Sequence, residues 1–235
     1  MRIGGLSNWY TMIFAPSVEL IEHFVGQVEN QIADVIDKYN AGKRTYFALD
    51  DAEQDGRQYA QEVETFGNLD SMGWDMKKLF EEHFPNLQRR SALITVYSSF
   101  EYEIVRLCAL FQNEEHLKIG VSDLSGRGIR QAANYLEKVA QLDTHRGSHQ
   151  WQAINHIRII RNMIVHRDGR LLDAQRKRPK KETNAIDELR YVRASELEVL
   201  LEPEFVPEVV KTFTSYFKLI NDSIQKTRPT DMNLR

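Results

Sequence analysis

Between Gln150 and Arg170 an apolar segment is interrupted by Asn155, Arg158, Arg161, Asn162 and His166. Asn155, Arg158 (or Ile159), Asn162 and His166 follow one another at steps of three and four, the spacing that puts residues on one helix face. An Arg stays charged and can grip two oxygens of a carboxylate or a phosphate at once. A His, with an unperturbed pKa of about 6.5, moves protons near neutrality. A cation set among apolar residues is costly unless something pairs with it, either an internal carboxylate or the phosphate of a ligand. Arg161 and His166 stand about 140 degrees apart around an ideal helix. They meet at one small target only if the last turn loosens near Gly169 or if a second copy of the helix supplies half of the site.

The element that carries these groups is itself unusual. Ile154, Ile157, Ile159, Ile160, Met163, Ile164 and Val165 point in most directions around it, as in a helix buried in a core or at a subunit contact. Ser148 or Gly147 serves as its cap and Gly169 as its stop. Ahead of it the spacing predicts a helix from Pro85-Asn86 to about Asn113, with Leu93, Tyr97, Phe100, Ile104, Leu107 and Phe111 as its stripe. Glu101 shares the face of Tyr97 and is the carboxylate expected to face Arg158 or Arg161, as an internal salt bridge or as part of a site.

Arg161-Asn162-Met163-Ile164-Val165-His166 resembles the Arg-x(4 to 6)-His signature of the HEPN superfamily, in the form with a polar residue after the Arg. Tyr97-Ser98-Ser99-Phe100-Glu101, on the preceding long helix, is similar to the family's first core helix, and the resemblance covers roughly Asn86 to Ile224. It implies a mainly all-α, antiparallel HEPN-like helical bundle that dimerises with both motifs lining one cleft. Many members are metal-independent endoribonucleases, often toxins or antiviral effectors. In such chemistry the RNA's own 2'-hydroxyl attacks the phosphorus while the enzyme moves two protons and stabilises charge. The resemblance then assigns His166 as general acid or base, Arg161 as phosphate and transition-state clamp, and Asn162 as a donor that orients phosphate or ribose. Arg158, Glu101 and Asn155 are supporting candidates. In a homodimer with a composite active site, one His acts as base and the other as acid. RNA is the expected substrate, an antitoxin or other protein a further partner, and no metal or cofactor enters. The alternative is a HEPN-like bundle that does not cut and binds a nucleotide, RNA or a protein partner.

Other parts of the chain must build that bundle. Ser17 is read as the N-cap of a long helix ending near Asn40 with Gly42 as its stop, and Val18, Ile21, Val25, Val28, Ile32, Val35 and Tyr39 form its seam. From Lys43 to Phe84 a helical insertion is expected, with one helix opening at Asp50-Asp51-Ala52-Glu53 and running toward Phe66, a break at Gly67 to Gly73, and a short helix from Trp74 to His83. Tyr46, Phe47, Phe66, Trp74, Phe80 and Phe84 give it surface to pack. Residues 129 to 142 form a helix with Ile129, Ala132, Leu136 and Val139 inward. Leu189 to Val192 and Leu197 to Leu201 read as a small β-hairpin, and a last helix runs from Pro203 or Pro207 to about Lys226. The domain reading is thus 1–85 as an N-terminal extension and insertion, 86–226 as the bundle and 227–235 as a frayed tail.

The remaining motifs exclude more than they suggest. Arg167, Arg170, Arg176, Lys177, Arg178, Lys180 and Lys181 make a basic run beginning at His166, read as a solvated loop or as phosphate contacts guiding RNA. Ser125-Gly126-Arg127-Gly128 has no preceding strand and no Gly-Lys-Ser/Thr, so a P-loop fails. His166-Arg167-Asp168 lacks the downstream Asn of a kinase loop. The single cysteine, Cys108, reads as core and fits a reducing compartment. With 42% apolar and 28% charged residues the composition is that of a globular protein, and a net charge of -3 argues against a broadly basic coat. No run of about eighteen apolar residues exists to span a membrane, so a cytoplasmic location is expected.

Overall fold

The first long helix begins before Ser17. A 3₁₀ turn at Leu6–Asn8 and a π turn at Tyr10–Phe14 lead directly into α1 (Ala15–Gly42). Ser17 is therefore already inside the helix, and its hydroxyl donates back to the Ile13 carbonyl at 3.0 Å instead of capping an end. The expected stop at Gly42 holds, and Val18, Ile21, Val25, Ile32 and Tyr39 are buried as their spacing requires. In the computed structural model residues 5–49, 60–172, 177 and 179–228 are described, and they divide into two compact units, 26–89 and the rest.

In the unit of Gly26 to Arg89 the expected helix toward Phe66 is replaced by an antiparallel sheet. Strand β1 (Arg44–Leu49) pairs with β2 (Ala60–Phe66) in the register Arg44 to Thr65 through Leu49 to Ala60, and β2 pairs with β3 (Leu69–Asp70). The expected helix start at Asp50 to Glu53 lies outside the described residues. The decisive signal was instead the β-branched and aromatic content of Thr45-Tyr46-Phe47 and Val63-Glu64-Thr65-Phe66, which favours a pleated, half-buried surface. Gly67, at φ +59°, makes the tight turn that sends the chain from β2 into β3. After it come the single turn α2 (Met76–Lys78), capped by Asp75, and a π turn at Leu79–His83, close to the expected short helix. Tyr39, Met76 and Phe80 form the core, with Phe66 and Leu69 against it, and Tyr39 stacks on Phe80 at 4.4 Å between ring centroids. Tyr46, Phe47 and Trp74, expected to pack, are exposed.

The other unit is mainly helical. It holds most of α3 (Phe84–Glu114), then α4 (Gly128–Lys138), α5 (His149–Arg167), α6 (Lys180–Glu188) and α7 (Phe205–Thr227). A two-stranded hairpin, β4 (Val192–Ala194) with β5 (Val199–Leu201), separates the last two. The stripes expected on α3 and α7 interdigitate: Phe100 lies parallel to Phe213 at 4.5 Å, and Phe14 meets Phe217 edge to face at 4.6 Å. Helix α5 packs against both α6 and α7. Helix α6 opens inside the basic run, so that Lys180 and Lys181 begin a helix where the spacing of charges predicts the end of a loop. Among the described residues no helix is long and apolar enough to cross a membrane.

Candidate functional site on helix α5

Ser148 caps α5 by accepting the Trp151 amide proton at 3.2 Å, one of the donors a helix start leaves free. From there the helix stays regular through Arg167, and Asp168, at φ 51°, makes the left-handed exit together with Gly169, at φ 70°. The last turn therefore does not loosen, and Arg161 and His166 keep their helical separation.

That regularity sorts the polar seam into two faces. Arg158, Asn162 and His166 line one cavity of about 250 Å³ with Arg167, Lys181 and Glu182. Arg161 does not line it. Its guanidinium lies 5.4 Å over the ring of Tyr97, where it gains a cation–π contact, and its Nη1 donates to Asn162 Oδ1 at 3.1 Å. Because a guanidinium only donates, that bond fixes which end of the Asn162 amide is which and leaves the amide NH₂ as the free donor. Asn155 turns its own NH₂ back to the Trp151 carbonyl at 2.9 Å and plays no part in the cavity.

Glu101 is not the counter-ion of either arginine. It accepts the backbone N–H of Ile129 at 3.2 Å, placing a negative charge at the positive end of α4. Gly128 is what lets it approach: a Cβ there would fall 1.7 Å from Glu101 Oε1, and the residue sits at φ +62°. Among the described residues neither Arg158 nor Arg161 forms an ion pair, and the Nε of each is buried without a hydrogen-bond partner. Burial drives the Tyr97 phenol well above its ordinary range, with Glu101 adding to the rise and Arg158 and Arg161 opposing it.

The cavity's outer wall comes from α6. Glu182 Oε1 accepts from Arg167 Nη2 at 3.0 Å, while Glu182 Oε2 is buried without a hydrogen-bond partner among the described residues. Of the basic run, Arg167 is thus half-buried and paired, while Arg170, Lys177, Lys180 and Lys181 are exposed, and Arg176 and Arg178 lie outside the described residues. Lys181 and Arg167 reach the cavity.

One positioning residue escaped the sequence entirely. Arg90 is buried on α3 and donates to the Asp168 carbonyl and to the Val199 carbonyl, each at 3.1 Å, and to the Glu198 carboxylate. It therefore ties the end of α5, two residues beyond His166, to the β4–β5 hairpin. A Cβ on Gly169 would lie 2.5 Å from Arg90 Nη2, so the glycine makes room for this guanidinium as well as for the turn. A single charged residue in an apolar stripe gives no sign of partners 78 and 108 positions away.

Cys108 is buried, donates weakly to the Ala132 carbonyl at 3.5 Å, and has its thiol pushed up to about 12 by burial. It is a core residue. Among the described residues no three His, Cys, Asp or Glu side chains group so as to hold a metal ion. Compared with known proteins, the chain matches no family model, no curated protein and no solved structure.

Proposed function

We propose that this chain is a metal-independent endoribonuclease of the HEPN type, working as a homodimer and acting as a toxin or defence effector. One observation carries the reading: Arg158, Asn162 and His166 line a single cavity, and Arg158 enters it without an ion-pair partner among the described residues. A half-buried guanidinium left in that state suits an anion brought from outside. His166, exposed at the cavity, is the proton-transfer group. Arg158 takes the phosphate on the His166 face, and the Asn162 NH₂, held by Arg161, points a second donor at it. Arg161 is thereby a positioning residue within one protomer, and the motif of the second copy completes the composite site.

The test is cleavage of single-stranded RNA in EDTA by the full chain and by Arg158→Ala, Arg161→Ala and His166→Ala, with folding and dimerisation followed alongside. Loss of one proton-transfer group is expected to cost about a hundred-fold or more, with Arg158→Ala comparable, Arg161→Ala milder, and growth arrest on expression relieved in step. Undiminished cleavage by His166→Ala, or cleavage abolished by EDTA, would contradict the proposal. RNA binding that weakens with salt but yields no products would instead support a non-catalytic bundle.

A further inference from the structure

Among the described residues, two buried polar atoms of opposite character lack partners on side chains that line the same cavity: Arg158 Nε, a donor carrying positive charge, and Glu182 Oε2, an acceptor carrying negative charge. They belong to different helices, α5 and α6, and Glu182 is already oriented by its bond from Arg167 at 3.0 Å. A plain anion would satisfy the arginine and be repelled by the carboxylate. A ligand that answers both must present an anion and, beside it, a hydroxyl able to donate. A phosphate ester beside a free sugar hydroxyl has that pattern, and its deoxy counterpart does not. At about 250 Å³ the cavity is smaller than a typical drug-sized pocket, suited to one sugar-phosphate unit.

We propose that Glu182 is a catalytic residue that accepts the 2'-hydroxyl of the scissile ribose, so that it both tells RNA from DNA and serves as the general base. This rests on the reading of the cavity as a phosphodiester site. The step balances within one cavity. Glu182 takes the 2'-proton, the 2'-oxygen forms a bond to phosphorus, the bond from phosphorus to the 5'-oxygen breaks, and His166 gives that oxygen its proton. The products are a 2',3'-cyclic phosphate and a 5'-hydroxyl. The acid, on α5, and the base, on α6, then line one cavity.

The experiment uses the full chain with a ribonucleoside 3'-monophosphate and its 2'-deoxy counterpart, titrated by calorimetry, and with single-stranded RNA in steady-state assays. Wild type is expected to bind the ribonucleotide about ten-fold more tightly, from one added hydrogen bond to a charged group. Glu182→Ala should bind the two alike. The isosteric Glu182→Gln, which keeps the volume and an acceptor, should lower kcat about a hundred-fold with KM little changed. Equal binding of both nucleotides by wild type, a ribonucleotide preference that survives in Glu182→Ala, or an undiminished kcat in Glu182→Gln would each overturn the assignment while leaving the phosphate site standing. Failure of wild type to bind either nucleotide would remove the phosphodiester reading itself.

Discussion

At the scale of single residues, the chain holds several charges below the surface, and each is kept for a different reason. Arg158 faces a cavity, Arg161 lies on Tyr97, and Glu103, on α3, is buried with Oε1 accepting from Ser17 at 3.2 Å and Oε2 without a partner among the described residues. Burial raises the Glu103 pKa, against the lowering effects of Arg106 and Ser17. The native state therefore holds this proton more tightly than the unfolded chain does. The resulting stability is fully present below the ordinary carboxylate range and is lost as pH rises through the folded value. Glu103→Gln, which cannot ionise, should match wild type in thermal melts near pH 4 and exceed it near pH 7.5; a variant less stable at pH 7.5 would contradict this. Cys108 gives a second check. With its thiol pushed up to about 12, it should not react with a disulfide reagent in the native protein and should react fully in denaturant.

At the scale of elements, the site depends on how α4 and α5 are pinned. Glu101 caps α4 across 28 residues through the space left by Gly128. Glu101→Gln should therefore cost about 1 kcal/mol in denaturant unfolding. Gly128→Ala, which adds a Cβ where the carboxylate sits, should cost more, and either substitution proving neutral would show the cap to be incidental. Arg90 holds the end of α5 to β5, so Arg90→Met should cost about 3 kcal/mol by leaving the Glu198 carboxylate and the Asp168 and Val199 carbonyls without that donor. The helices and stripes of α1, α3, α4, α5 and α7 were legible because apolar residues at steps of three and four must share a buried face. The strands from Arg44 to Phe66 were not, since an acidic cluster read as a helix start outweighed a short run of β-formers. Helix α6 was hidden by its own lysines, although Pro179, Glu182 in the first turn, and Ala185, Ile186 and Leu189 beyond it were the usual marks of a helix. Glu182 was missed with it. The split of Arg161 from Arg158 follows from the helix staying regular to Arg167, which spacing alone left open.

At the scale of the whole molecule, a chain with a net charge of -3 gathers Arg158, His166, Arg167 and Lys181 around one small cavity. Affinity for single-stranded RNA should then fall with salt at a shallow slope, log K against log salt of about -2, well short of a protein coated in positive charge. On the proposed reading, the rest of the fold holds the Arg158, Asn162 and His166 face of α5 open to an incoming phosphodiester. The most direct measurement of that claim is the chemistry of the ends left on a labelled single-stranded RNA after incubation with wild type and with His166→Ala in EDTA. Fragments ending in 2',3'-cyclic phosphate and 5'-hydroxyl, produced by wild type and absent with His166→Ala, are the expected result. Fragments with 5'-phosphate ends, or the same fragments from both proteins, would contradict it.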